Sequence, residues 1–269
     1  MITSFSNPKV KFLRKLEQKK YRQETGIFLI EGLRIVGEAV QIKAPIQYLV
    51  TAPDLLTSQF GIDIINQAAE RKIDVIEVSA EIFQKLAHKD GPQGIAAVVQ
   101  QTWATLEQEI VKPDDLWVVL DEIADPGNLG TILRTADAVG ACGIILTGHA
   151  TDPYDPTAVK ASMGAVFTLH LIQSTWDQVC QWCKINLVNL VGTSDSADKD
   201  YQGVKYTRPL ALLMGSERHG LSSEVQAACD LMVRIPMAGR SDSLNLAVAT
   251  GIMLYEIFNQ FRNLDKIDS

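Results

Sequence analysis

No apolar stretch of the 269-residue chain reaches the roughly 20 residues that a membrane-spanning helix needs. The opening MITSFSNPKVKFLRKLEQKK is charged and lacks the apolar core of a signal peptide, so a soluble cytoplasmic protein is expected. Positive charge is short as well: 25 Lys and Arg face 32 Asp and Glu, a net −7 that argues against a general nucleic-acid binder. Cysteine is scarce, and four thiols suit a reduced compartment. Cys180-Gln-Trp-Cys183 has the spacing of half a zinc site, but no second pair or histidine cluster accompanies it. Trp176, Val179, Cys180, Cys183 and Leu187 fall at helical core spacing, so packing accounts for the pair and no metal is expected. A full Gly-x-Gly-x-x-Gly is missing too. Gly127-x-x-Gly130 follows a strand, but the next strand runs into Thr147-Gly148 with no acidic ribose partner, which argues against an ordinary dinucleotide-binding domain.

What is present is a globular composition, 46% hydrophobic and 21% charged, in a length suited to one large domain or two ordinary ones. The charge is unevenly spread. Residues 1–22 carry Lys9, Lys11, Arg14, Lys15, Lys19, Lys20 and Arg22 against Glu17 alone, a balance of +6 that leaves −13 on the rest of a chain whose total is −7. A basic stripe on an acidic body binds phosphates locally while net repulsion limits indiscriminate sticking. The spacing predicts a basic helix over 7–22, then strands near 27–30, 46–50, 73–78 and 95–99, with helices through 36–40 and 64–69. This alternation makes residues 1–99 a small α/β domain. Residues 100–115 break it and end in Pro113-Asp114-Asp115, a linker, and a second domain runs over 116–269.

The second domain opens with a buried strand over 116–120 and a loop that turns into a helix near Asn128. Leu129, Ile132, Leu133, Ala136 and Val139 form the core stripe of that helix; Gly130, Arg134 and Asp137 fall on the opposite side. Further strands are expected at 143–147, 166–171 and 187–192, with a short helix containing Lys160 and Ser162 and the helix carrying Cys180 and Cys183 between them. The stretch 210–256 then concentrates site-like features. A buried strand closes at Gly215, and Ser216-Glu217-Arg218-His219-Gly220 sets three ionisable side chains between glycines. A second apolar piece ends at Ile235-Pro236. After the polar residues 239–243 comes a helix over 244–258, apolar all round and therefore expected to be buried, with Asn245 in its first turn. Alternating strands and helices imply a mainly parallel sheet, with ligands at the carboxyl ends of strands, where the loops after 120, 214 and 235 lie.

Gly-Ser-Glu-x-x-Gly at 215–220, Ile-Pro-Met at 235–237 and Ser-Leu-Asn at 243–245 resemble motifs 2 and 3 of the SpoU (TrmH-like) branch of the SPOUT methyltransferases. Asn128-Leu129-Gly130-Thr131-Ile132-Leu133-Arg134 resembles motif 1. Likewise NPKVKFLRKL, FLIEG and GPQGIAAVV in the first hundred residues resemble the L30e-like substrate-binding domain that precedes many such catalytic domains. The resemblance implies a C-terminal sheet with a trefoil knot, S-adenosylmethionine as cofactor, and methyl transfer to a ribose 2′-hydroxyl of ribosomal or transfer RNA, with ribosomal RNA favoured. It also implies a homodimer whose active site is completed across the interface.

Carried over by position, Gly215, Ile235 and Leu244 contact the cofactor, with Met237 nearby, and Arg134 serves catalysis with Asn128, Glu217 and Asn245 shaping the site. Lys9, Lys11, Arg14, Lys15 and Arg22 would grip RNA. An arginine pKa above ~12 makes a poor base, so Arg134 is expected to bind the adjacent phosphate and polarise the hydroxyl. The motif does not require a histidine at His219. The chain departs from the pattern at Leu246-Ala247-Val248-Ala249, where Val-Ser-Val-Ala is usual, so the helix start lacks the usual serine. The alternative is a non-catalytic RNA-binding protein that retains a knotted cofactor-binding domain.

Overall fold

A computed structural model describes residues 1–87, 91–241 and 243–264. The chain runs α1 (Pro8–Lys15), α2 (Lys19–Thr25), β1 (Ile27–Glu31), α3 (Leu33–Gln41), β2 (Ile46–Thr51), α4 (Gln59–Glu70), β3 (Asp74–Glu77), α5 (Ala80–Leu86) and β4 (Ile95–Gln100). It continues β5 (Leu116–Asp121), α6 (Pro126–Ala138), β6 (Gly143–Thr147), α7 (Pro156–Ser162), β7 (His170–Gln173), α8 (Trp176–Asn186) and β8 (Asn189–Thr193). Then follow β9 (Lys199–Asp200), β10 (Leu210–Met214), α9 (Ser223–Ala227), β11 (Leu231–Arg234) and α10 (Leu246–Leu264). Contacts divide it into two compact units, residues 1–102 with 154–167, and residues 103–153 with 168–269.

The first unit is built on a four-stranded sheet in the order β1-β4-β2-β3, antiparallel except for the β2/β3 pair. α1 forms because Asn7 caps it, its side chain accepting from Lys9 N at 2.9 Å, with Pro8 preset for the first turn. Val10, Leu13 and Leu16 then enter the same apolar cluster as Val50, Phe83 and Val98.

The single basic helix expected over 7–22 is two, broken at residues 16–18, and Arg22 explains the break. Its guanidinium is 1% exposed and donates to the Leu16 and Glu17 carbonyls at 3.0 and 2.7 Å and to Asp155 Oδ2 at 3.3 Å. Arg22 therefore cannot serve as an RNA contact as expected; it satisfies carbonyls that the helix break leaves open. Lys9, Lys11, Arg14 and Lys15 are exposed. Arg22→Met should lower the unfolding free energy of the full chain by about 3 kcal/mol in denaturant titrations, because Asp155 and two carbonyls lose their buried partner.

Residues 154–167, read from sequence as part of the second domain, group with the first unit. There Tyr154 packs on Phe28 at 4.6 Å and its hydroxyl donates to Thr102 O at 2.7 Å.

The second unit holds a seven-stranded sheet, β7-β6-β5-β10-β8-β11-β9, with every pairing parallel. β6 and β10 are buried along their whole length and β5 in all but its last residue, Asp121, as strands covered on both faces must be. β10 lies between β5 and β8 although it follows both in sequence. The strand expected at 166–171 begins later, at His170, after a 3-10 turn over Ala165–Phe167.

α10 packs on α6. Leu246, Thr250, Met253, Leu254 and Ile257 make its buried stripe, but Val248 and Tyr255 are 52% and 48% exposed, so the helix is not buried all round as expected. Gly130, expected on the open side of α6, is buried. Among the described residues no helix is long and apolar enough to cross a membrane.

Candidate active site

The carboxyl ends of β8, β10 and β11 and the start of α10 surround a cavity of about 720 Å³. Gly215, Ile235, Met237 and Leu244, the four residues expected at a cofactor, all line it, as do Glu217 and Asn245. Arg134 does not. It stands exposed on α6, two turns beyond Asn128.

The glycine-flanked turn is shaped by its own backbone. Ser216 and Gly220 form an antiparallel bridge, Gly220 N donates to Ser216 O at 3.0 Å, and His219 N donates to Ser216 Oγ at 3.2 Å. Gly220 sits at φ +61°, in the left-handed region. A Cβ on Gly215 would collide with the Gly220 carbonyl and lie 2.6 Å from Leu221 N. Gly215 is thus required by the turn closing on itself, a cause separate from the cofactor contact that the family resemblance implies for it.

Glu217 ties this turn to the start of α6. Its Oε1 accepts from Asn128 Nδ2 at 3.0 Å and Asp125 N at 3.3 Å, and its Oε2 from Ala124 N at 3.2 Å. Asn128 Oδ1 in turn accepts from Asn245 Nδ2 at 2.9 Å. Asn245 Oδ1 accepts from Ala247 N and Val248 N at 2.9 and 3.3 Å, capping α10. The usual serine, absent at Ala247, is therefore not needed to start this helix, and Ala247 is buried. One chain of side chains, Glu217–Asn128–Asn245, joins the three motif segments.

Burial pushes the Glu217 carboxyl up, but hydrogen bonds from Asn128 and from the backbone of Glu217, Ala124 and Asp125 outweigh it and leave the group below the ordinary carboxylate range. Its stabilising effect is present at neutral pH and is lost only in acid, as pH falls through the depressed value. Glu217→Gln replaces an acceptor oxygen with a donor facing N–H groups. Cofactor affinity should fall roughly tenfold, as read by titration calorimetry.

The sequence missed two contributors. Asp125 caps α6 by accepting from Asn128 N at 2.7 Å, and Thr193 through Ser196 form a wall of the cavity. Their signal was their place at the end of β8 and in the loops that follow the parallel strands β5 and β8. The cysteines lie away from this chemistry: Cys183 and Cys229 are pushed up to about 12, chiefly by burial, and behave as packing residues.

A parallel sheet with a cavity at its strand ends, lined by aliphatic residues on one hand and polar and charged ones on the other, is the architecture of an α/β domain that takes a nucleotide-sized ligand. The chain belongs to the SpoU rRNA Methylase family, which matches residues 115–255, and residues 7–97 match the MRM3-like substrate binding domain. A crystal structure of an S-adenosylmethionine-bound rRNA methyltransferase from Sinorhizobium meliloti is similar, with TM-score 0.87 and 39% identity, covering 96% of this chain and 97% of that one. The 23S rRNA (uridine(2479)-2′-O)-methyltransferase of Streptomyces viridochromogenes is 33% identical over 91% of this chain and 87% of its own. The 23S rRNA (guanosine(2553)-2′-O)-methyltransferase RlmP of Bacillus subtilis is 28% identical over 95% and 98%.

Proposed function

We propose that this protein transfers a methyl group from S-adenosylmethionine to the 2′-hydroxyl of a ribose in ribosomal RNA. The observation that carries the reading is the convergence of Gly215, Ile235, Met237 and Leu244 on one cavity bordered by the Glu217–Asn128–Asn245 chain. Its residues fit the cofactor: Ile235, Met237 and Leu244 offer an apolar wall for adenine, and the turns after β8 and β10 offer backbone polar groups. When bound, the cofactor supplies an electrophilic methyl group. The Glu217–Asn128–Asn245 chain holds the loops in register, and the Arg134 guanidinium grips the phosphate beside the target ribose and polarises its hydroxyl.

Arg134 lies off the lining of its own cavity, so the active form is a homodimer in which one chain's Arg134 completes its partner's site. The exposed apolar Val248 and Tyr255 of α10 suit such an interface. The placement of β10 between β5 and β8 fits a trefoil-knotted chain, and the first unit fits an L30e-like RNA-binding domain; of the linker expected over 100–115, Gln100 belongs to β4 and Leu106 is buried in the core of the second unit. Lys9, Lys11, Arg14 and Lys15 meet RNA phosphates, and the four free thiols suit work in the cytoplasm.

Mapping 2′-O-methyl groups in ribosomal RNA from cells with and without this protein tests the reading. Loss of one defined site supports it. Unchanged ribosomal RNA with a lost transfer-RNA site would redirect it, and no change in either would overturn it.

A further inference from the structure

The cavity holds charges to which the methyltransferase reading gives no role. Its ionisable lining residues include Asp195, Glu217, Arg218 and His219, and Glu217 is committed to Asn128 and the backbone of Ala124 and Asp125. Asp195 and Arg218 are both exposed and stand on different loops, Asp195 after β8 and Arg218 after β10. Asp195 Oδ1 accepts a long bond from Ser194 Oγ at 3.4 Å. Arg218 enters no ion pair among the described residues.

Each loop is held at its base. Ser194 N donates to Val233 O at 3.0 Å and the Ser194 and Ser196 hydroxyls bond at 2.8 Å, while the Arg218 turn is closed by the Ser216–Gly220 bridge. Two opposite charges thus face one cavity from braced positions.

We propose that Asp195 and Arg218 clamp the zwitterionic amino-acid head of S-adenosylmethionine, the carboxylate taking its ammonium and the guanidinium its carboxylate. This rests on the cofactor reading above. The apolar residues Ile235, Met237 and Leu244 suit the uncharged adenine, which leaves the head group to the polar side of the cavity. A guanidinium fork matches a carboxylate in two parallel hydrogen bonds, and a carboxylate is the natural acceptor for a primary ammonium. Loops already held in place lose little freedom on binding, so the charges add affinity rather than merely attracting the ligand.

Titration calorimetry on the full chain with three probes separates the roles: S-adenosylmethionine, its decarboxylated form, which keeps the ammonium, and 5′-methylthioadenosine, which has neither charge. Asp195→Asn should weaken binding of the first two by roughly tenfold. Arg218→Gln should weaken only the first, by a similar factor. Both variants should bind methylthioadenosine within about twofold of wild type, which also shows that the cavity is intact. Unchanged S-adenosylmethionine affinity in both variants would overturn the clamp, as would a parallel loss of methylthioadenosine. Wild-type protein that binds none of the three would overturn the methyltransferase reading itself, and the clamp with it.

Discussion

Arg134→Lys is expected to lower the rate of methyl transfer by roughly 100-fold or more while S-adenosylmethionine affinity stays within about twofold. The substitution keeps the charge but loses the planar fork that can engage a phosphate and a hydroxyl together. Because Arg134 does not line the cavity of its own chain, cofactor binding has no reason to change. Single-turnover rates alongside calorimetric affinities separate the two effects. The same placement makes a stronger demand. If the site is shared as proposed, a mixed dimer of one Arg134→Ala chain and one chain with a ruined cavity would contain one complete site, an intact cavity served by an intact arginine across the interface. Activity regained on mixing two inactive variants supports the shared site. Persistent inactivity in a verified mixed dimer would show that Arg134 serves its own chain or none.

Gly215→Ala carries the second large effect. The new methyl group meets the backbone of Gly220 and Leu221, which no side-chain rotation can relieve, so the turn must open. A loss of about 3 kcal/mol in stability is expected from overpacking against backbone. Cofactor affinity should fall by more than roughly 100-fold, because the turn carrying Glu217 and the cavity wall move together. Calorimetry and thermal melting on the same preparation check both. A variant that binds normally would show that the turn adapts at little cost.

The strong signals in the sequence were those with a short physical range. Buried strands at 116–120, 143–147 and 210–214 were legible because a strand covered on both faces must be apolar throughout, and their alternation with helices foretold the parallel sheet. The convergence of the loops after 214 and 235 and the start of α10 on one cavity was legible because parallel topology puts strand ends together. Long-range pairings were not. No local pattern says that the Arg22 guanidinium turns inward to two carbonyls and Asp155, so its charge was counted with the exposed stripe. Residues 154–167 pack with the first unit through Tyr154 and Phe28, a contact between positions far apart in the chain. The exposure of Val248 and Tyr255 was missed because an apolar helix face reads alike whether the core or another molecule covers it.

The most direct test incubates the purified protein with ribosomal RNA and S-adenosylmethionine labelled in its methyl group, digests the RNA to nucleosides and finds where the label went. Label recovered in a single 2′-O-methylnucleoside, and absent with Arg134→Ala, is the expected result. Label on a base, or none transferred by protein that binds the cofactor, would contradict ribose methylation.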